Sequence, residues 1–251
     1  ESYNGTAWTE VADLNTTRSY ASGSGTSTAG VFAGGHPGSG AVANNELWDG
    51  SAWTESADLN SIRSENRGAG PSTATITAGG RTAPYPTLTT NTETWNGTAW
   101  TEVNNLSSAA VGRVIVGTSN TAIANSSHPT SNITELWNGT SWTDDTASNS
   151  FHREGGSAGS RTDAIICGGP PSPGIANTEI FNGSSWTEVA DLGTARYQIG
   201  SNTGQVSNSN SLIAFGGYTS TQVGVTEEWT TASSFQKLNI GQVYFNSTAN
   251  D

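Results

Sequence analysis

Apolar positions along this chain fall in short runs, and none keeps the three-to-four-residue spacing of an amphipathic helix. What recurs is an alternation built around aromatics: NELWDGSAWTE (45–55), NTETWNGTAWTE (91–102), TELWNGTSWTD (134–144) and TEIFNGSSWTE (178–188), with ESYNGTAWTE opening the chain. Asn-Gly or Asp-Gly between strand-forming residues is a strong local signal for a β-hairpin, because the turn needs positive φ. Read as a two-residue turn, Asp49-Gly50 predicts Trp48 opposite Ser51 and Glu46 opposite Trp53. Glu46, Trp48, Trp53 and Glu55 then share one face, and Leu47 and Ala52 take the other.

Each hairpin is followed by a linker, such as ADLNTTRS (12–19), ADLNSIRS (57–64) or ADLGTAR (190–196), and then by two more strand candidates. The first is rich in Gly and small residues, as in SYASGSG (19–25). The second is apolar and closes on Gly-Gly: GVFAGG (30–35), TITAGG (75–80), AIICGG (164–169) and LIAFGG (212–217), with a degraded copy NTAIAN at 120–125. Four short strands per unit and no helix pattern predict an all-β chain.

The units are periodic. Trp8, Trp53, Trp100, Trp142 and Trp186 are separated by 45, 47, 42 and 44 residues, and an aromatic precedes each by five: Tyr3, Trp48, Trp95, Trp137 and Phe181. A further copy at Trp229 lacks its second Trp, and all 9 Trp fall in these two columns, which marks them as packing residues and not a scattered ligand surface. Four-stranded units at this period predict a β-propeller, since one unit cannot bury both its faces but a ring of units can. The small-residue strand suits the crowded axis, and the Trp hairpin suits the outer zone where blades diverge.

The unit resembles the kelch repeat, on four features: Gly-Gly closing an apolar strand, the aromatic of the third strand, the Trp of the fourth, and an Arg ten residues after that Trp. Arg18, Arg63 and Arg196 hold the Arg column, while Ala110 and His152 stand there in units three and four. The phrases TELWNGTSWTD, TEVADLNTTR (9–18) and AFGGYT (214–219) are also similar to kelch-like repeats of tail and virion proteins in marine bacteriophages. KLNIGQVYFNSTAND (237–251) is similar to a segment recurring in phage structural proteins. The resemblance covers about 1–235 and implies a propeller domain over 1–235 with a tail segment at 236–251. It also implies a virion, hence extracellular, location with other virion proteins as partners.

Five inner strand pairs face six outer hairpins. Five blades are the favoured reading, in which the hairpin at 1–12 completes the blade begun at 196–217, leaving 226–251 as a tail. In the alternative the hairpin at 226–238 completes that blade, and the opening hairpin belongs to a sixth blade whose inner strands precede residue 1. The chain opens inside a repeat and without Met, which points to processing or a longer parent sequence.

Composition narrows the function classes. Aromatic content (9 Trp, 6 Tyr, 6 Phe) requires a core, and one Cys, Cys167, means no internal disulfide. With a net charge of −12 and Lys237 as the single Lys, the surface repels nucleic acid and anionic membranes. No signal peptide and no membrane-length apolar run are read.

The carboxylates are mostly periodic. Glu46, Glu93, Glu135, Glu179 and Glu227 precede the first aromatic by two, and Glu10, Glu55, Glu102, Asp144 and Glu188 follow the Trp by two. Such positions read as solvated or hydrogen-bonded blade residues and not as catalysts. Asp144-Asp145 lacks the further oxygen ligands of a Ca²⁺ loop, and His36, His128 and His152 lack metal-ligand spacing. The sialidase Asp-box does not match WNGTAWT in its Asp and Ser positions. The copper set of galactose oxidase, with two His, two Tyr and a Tyr–Cys link, has no recognisable counterpart. No catalytic residue, metal or cofactor is therefore assigned.

The loops after Gly-Gly differ from unit to unit, and binding usually resides in variable loops on a rigid scaffold. His36, Tyr85, His128 and Tyr218 are the candidate binding residues there. The expected function is a non-enzymatic virion module, in a tail fibre, tail-associated part or capsid appendage, attaching to a host-surface glycan or receptor through these loops. A secreted glycan-binding propeller is the alternative, and a glycoside hydrolase ranks third.

Overall fold

The computed structural model describes residues 1–127, 131–203, 208–230 and 236–237, with backbone only at 126–127 and 236–237. All described elements are strands. A two-stranded hairpin, β1 (Ser2–Tyr3) and β2 (Trp8–Thr9), comes first. The first blade is β3 (Ser22–Thr26), β4 (Ala29–Ala33), β5 (Asn45–Trp48) and β6 (Trp53–Ser56). The second is β7 (Arg67–Ala69), β8 (Ile76–Ala78), β11 (Thr92–Trp95) and β12 (Trp100–Val103); a small hairpin, β9 (Arg81–Thr82) and β10 (Thr87–Leu88), projects between its second and third strands. The third is β13 (Val114–Gly117), β14 (Ala122–Ser127), β15 (Ser131–Trp137) and β16 (Trp142–Asp145). The fourth is β17 (Gly156–Ser160), β18 (Asp163–Gly169), β19 (Ile175–Phe181) and β20 (Trp186–Glu188). The fifth is β21 (Gly200–Ser201), β22 (Ser211–Phe215), β23 (Thr226–Thr230) and β24 (Gln236–Lys237).

These are five four-stranded antiparallel sheets arranged as a β-propeller. The innermost strands meet in order: β3 beside β7, β7 beside β13, β13 beside β17, and β17 beside β21 and β22. The core lies between blades. Trp95 and Trp100 of the second blade pack on Val31, Ala33 and Leu59; Trp137 of the third packs on Ile76, Ala78 and Leu106. Phe181 and Trp186 of the fourth blade pack on Val114, Val116 and Ile123 of the third, and Trp229 of the fifth packs on Ile165, Cys167 and Leu192. Each blade thus presents its aromatic face to the blade before it.

Two sequence expectations are corrected. Trp48 pairs with Trp53 and Glu46 with Glu55, so the hairpin loop has four residues, not two. The cause is the side chain that opens the turn. Asp49 Oδ1 accepts from the amides of Ser51 and Ala52, and Asn4, Asn96, Asn138 and Asn182 do the same in their loops. The face assignment survives, because a directly opposed pair also shares a face; only Ala52 moves into the turn, and Thr54 pairs with Leu47.

The second correction concerns closure. β23 pairs with β22, and β24 pairs with β23, so the fifth blade is completed by Thr226–Thr230 and Gln236–Lys237 and not by the opening hairpin. The opening hairpin is a separate sheet whose Trp8 ring lies 5.0 Å from Phe215 of β22. The remainder of the expected tail, 238–251, lies outside the described residues.

Candidate functional site: the loop face of the ring

The linkers that join blades also build the mouth of the ring. The periodic Glu of each third strand is fully buried and receives the linker entering its own blade. Glu93 accepts from the amide of Asn60 (2.7 Å), from Asn60 Nδ2 (2.8 Å) and from Arg63 Nη2 (2.5 Å). Glu46 is held in the same way by Asn15, Thr16 and Arg18, and Glu227 by Gly193 and Arg196. In the fourth blade His152 Nε2 lies 2.9 Å from Glu179. In the third, where Ala110 stands in the Arg column, Arg113 reaches Glu135 at 2.7 Å from three residues further on. The column rule missed Arg113 because it counts positions, whereas a long guanidinium side chain can arrive from a neighbouring turn of backbone.

Burial by itself pushes the Glu46 and Glu179 carboxyls up, but the hydrogen bonds from Arg18 and Asn15, and from His152 and Asn149, outweigh it and hold both below their ordinary range. This column of carboxylates is therefore hydrogen-bonded structure, as one branch of the sequence reading expects, and it is not solvated. The other column lies nearer solvent: Asp144 accepts from Ser107 Oγ at 3.0 Å. Asp144 and Asp145 are consecutive on β16 and point to opposite faces. Among the described residues no three His, Cys, Asp or Glu side chains converge as metal ligands.

Two residues after each column position, the chain adopts positive φ: Tyr20 (58°), Glu65 (54°), Gly112 (70°), Glu154 (58°) and Gln198 (56°). The left-handed turns aim one peptide group at the next blade. Glu65 N donates to Tyr20 O (2.7 Å), Gly112 N to Glu65 O (3.4 Å), Glu154 N to Gly112 O (2.7 Å) and Ile199 N to Glu154 O (3.0 Å). This backbone chain links the mouths of the five blades in sequence, from Tyr20 to Ile199.

On that face the structure brings together two of the candidate residues. His36 follows the Gly-Gly of the first blade, and Tyr85 tops the β9–β10 hairpin of the second; their rings meet edge-on at 6.0 Å. Arg81 lies over the Tyr85 ring at 5.7 Å and donates through Nε to Glu65 Oε1 at 2.7 Å, which also accepts from the Tyr85 hydroxyl at 3.4 Å. Tyr85 is 56% exposed and Tyr20 59%. The cluster is therefore an exposed aromatic ring flanked by one cation and one carboxylate, fixed by groups from two blades. Sequence reasoning named His36 and Tyr85 as candidates and did not place Arg81 and Glu65 beside them. Their pairing depends on β9–β10 folding back over the second linker, which no local pattern encodes.

Tyr218 stands apart, at the fifth blade, edge-on to Tyr197 at 5.5 Å. His128 lies outside the described residues. At the axis, Arg67 of β7 lines the central cavity. Burial pushes its guanidinium down, and the carboxylates of Glu154 and Glu65 draw it back up.

Comparison with known proteins gives fold and no more. No protein-family model matches the chain, and no curated protein sequence matches it. Among solved structures, the chain is similar to that of YjhT, with TM-score 0.76 over 94% of this chain and 89% of that one, at 11% sequence identity. At that identity the likeness supports the propeller fold alone.

Proposed function

We propose that this chain is a non-enzymatic display module of a bacteriophage virion, in a tail fibre, tail-associated part or capsid appendage. It attaches to a host-surface glycan or receptor through the loop face. The observation that carries the reading is the Tyr85–His36–Arg81–Glu65 cluster. An exposed ring offers a stacking surface, and the fixed Arg and Glu beside it offer a donor and an acceptor to hydroxyl groups. The virion assignment rests on the resemblance of the repeat phrases to those of phage structural proteins. Affinity at one such cluster is modest, and many copies on one particle raise it. The alternative, a secreted glycan-binding propeller, uses the same cluster in another setting.

The test has two arms. Mass spectrometry of purified particles is expected to find this chain, and replacing 82–88, the tip of the β9–β10 hairpin, by a short Gly-Ser linker is expected to leave the ring folded and abolish adsorption. Normal adsorption with the loop replaced sinks the attachment role. Absence from particles, with glycan binding retained by the free protein, favours the secreted reading.

A further inference from the structure

The ring carries an open seam between its fifth and first blades. At every other junction a buried apolar cluster joins consecutive blades, built from the aromatic face of one and the apolar strand of the one before. At the seam the corresponding walls are covered only in part, by the opening hairpin, whose Trp8 ring lies 5.0 Å from Phe215. Ile213 and Phe215 of β22 stand where Val31 and Ala33, Ile76 and Ala78, or Ile165 and Cys167 stand in other blades; those six are buried, whereas Ile213 and Phe215 are only half-buried. Phe32, on the facing wall, is also half-buried, whereas its counterparts Thr77, Ala124, Ile166 and Ala214 are buried. Between the walls lies a cavity of about 660 Å³ that reaches the axis.

Three backbone features mark the same gap. The chain of hydrogen bonds around the mouth runs from Tyr20 to Ile199, and among the described residues none joins the fifth blade back to Tyr20; the gap is at the mouth, since at the far end of the inner strands Thr203 Oγ1 donates to Gly23 O (3.3 Å) and Thr203 O accepts from Gly70 N (3.3 Å). The first Gly of Gly-Gly elsewhere abuts the carbonyl of the next linker: a Cβ on Gly34 would lie 2.7 Å from Arg63 O, on Gly79 2.7 Å from Ala110 O, and on Gly168 2.6 Å from Arg196 O. At Gly216 the one atom within 4 Å among the described residues is Val223 O, at 3.8 Å. Finally, among the described residues β1 pairs with β2 alone, although it matches the third strand of a blade, which elsewhere is flanked on both sides. In the second blade the amide of Trp95 donates across that flank to Thr75 O; Tyr3 holds the matching position in β1.

We propose that the seam is an acceptor for two further strands of the repeat's own inner-pair type. These complete β1–β2 into a sixth blade. The occupant is defined by the walls. Its second strand adds to the free edge of β1 by main-chain hydrogen bonds. One face of that strand covers Ile213 and Phe215, the other covers Trp48 and Trp53, and it closes on Gly-Gly. Its first strand is of small residues, because Gly68, Gly155 and Gly200 crowd the axis beside it. The turn that enters it supplies the carbonyl missing at Gly216 and the link missing between Gln198 and Tyr20. This inference stands on the ring geometry and is independent of the attachment reading.

The probe is a synthetic peptide of the protein's own first inner pair, residues 18–36, titrated into the 251-residue chain. The expected result is a saturable 1:1 change in Trp emission, from Trp8, Trp48 and Trp53 at the seam, and a Tm that rises with peptide concentration. A scrambled peptide gives neither. Tyr3→Pro, which removes the edge amide, and Ile213→Glu, which charges the opposite wall, each abolish the response by a separate route. The proposal is overturned by no response at saturating peptide, or by a response that both variants leave intact. It is equally overturned by a dimer of the free chain that the peptide does not dissociate, which assigns the seam to a second copy. Binding seen only after 238–251 is deleted assigns the seam to the chain's own C-terminal segment and also overturns it.

Discussion

Arg63, in the linker that enters the second blade, donates to Glu93 on that blade's third strand at 2.5 Å, with both side chains withdrawn from water. The same relationship ties Arg18 to Glu46, Arg113 to Glu135, His152 to Glu179 and Arg196 to Glu227. Each pair fixes where a chain leaving one blade enters the next. The pair is therefore a positional device, with its carboxylate also holding linker amides that would otherwise be buried without partners.

Removing one partner leaves a buried charge. Arg63→Ala is expected to lower stability by about 3–5 kcal/mol, and Arg63→Leu with Glu93→Leu to cost less than that single change. Urea unfolding of the two variants beside the parent checks the order; an equal or smaller loss in the single variant contradicts the clamp.

The clamps also set the acid limit. Glu46 and Glu179 sit below their ordinary value of 4.5 in the folded chain, so their contribution is present above that value and is lost as pH falls through the lower folded values. Stability is expected to hold from neutral pH down to about pH 5 and to decline below it. Glu179→Gln, less stable at neutral pH, should show a shallower decline. Unfolding free energies from pH 3 to pH 7 test the slope.

Depth separates the Trp residues. Trp137 is fully buried between the second and third blades, and Trp137→Ala is expected to cost about 3–5 kcal/mol. Trp53 holds the fourth-strand position and is half-buried, as Trp142 is in the third blade, so Trp53→Ala should cost clearly less. Equal losses measured by denaturation would contradict this ranking by depth.

Gly79 and Gly216 share a left-handed φ, 68° and 62°, and both pay strain on substitution by Ala. Gly79→Ala also drives its Cβ to 2.7 Å from Ala110 O, whereas the space at Gly216 is open. The first change is expected to lower Tm more than the second.

Burial pushes the Cys167 thiol up to about 12, despite the pull of Arg196 in the opposite direction. The thiolate is the reactive form, so the native protein should resist thiol reagents at pH 8 and label only as it unfolds. Rapid labelling without unfolding would place Cys167 outside the core.

The amino-acid sequence by itself determined the blade. Asn-Gly between β-formers, the paired aromatics and the closing Gly-Gly are local, and each acts through the backbone conformations or face alternation of a few neighbouring residues. Repetition of a unit that cannot bury both faces then required a ring. The candidate loops were legible for the same reason, since they are what the period leaves free, and His36 and Tyr85 became candidates that way. Tertiary structure alone decided the rest. The register of the hairpins turned on side-chain oxygens that cap the turn and lengthen it to four residues. Arg113 replaced a missing column member from a different position, because an ion pair constrains the distance between charged ends and not the count of residues between them. The joining of Arg81 and Glu65 to Tyr85, and the seam between the fifth and first blades, depend on which strand edges find partners across some 200 residues of chain. A period states how many units there are, but closure is a property of the whole ring, set by packing that no single repeat contains.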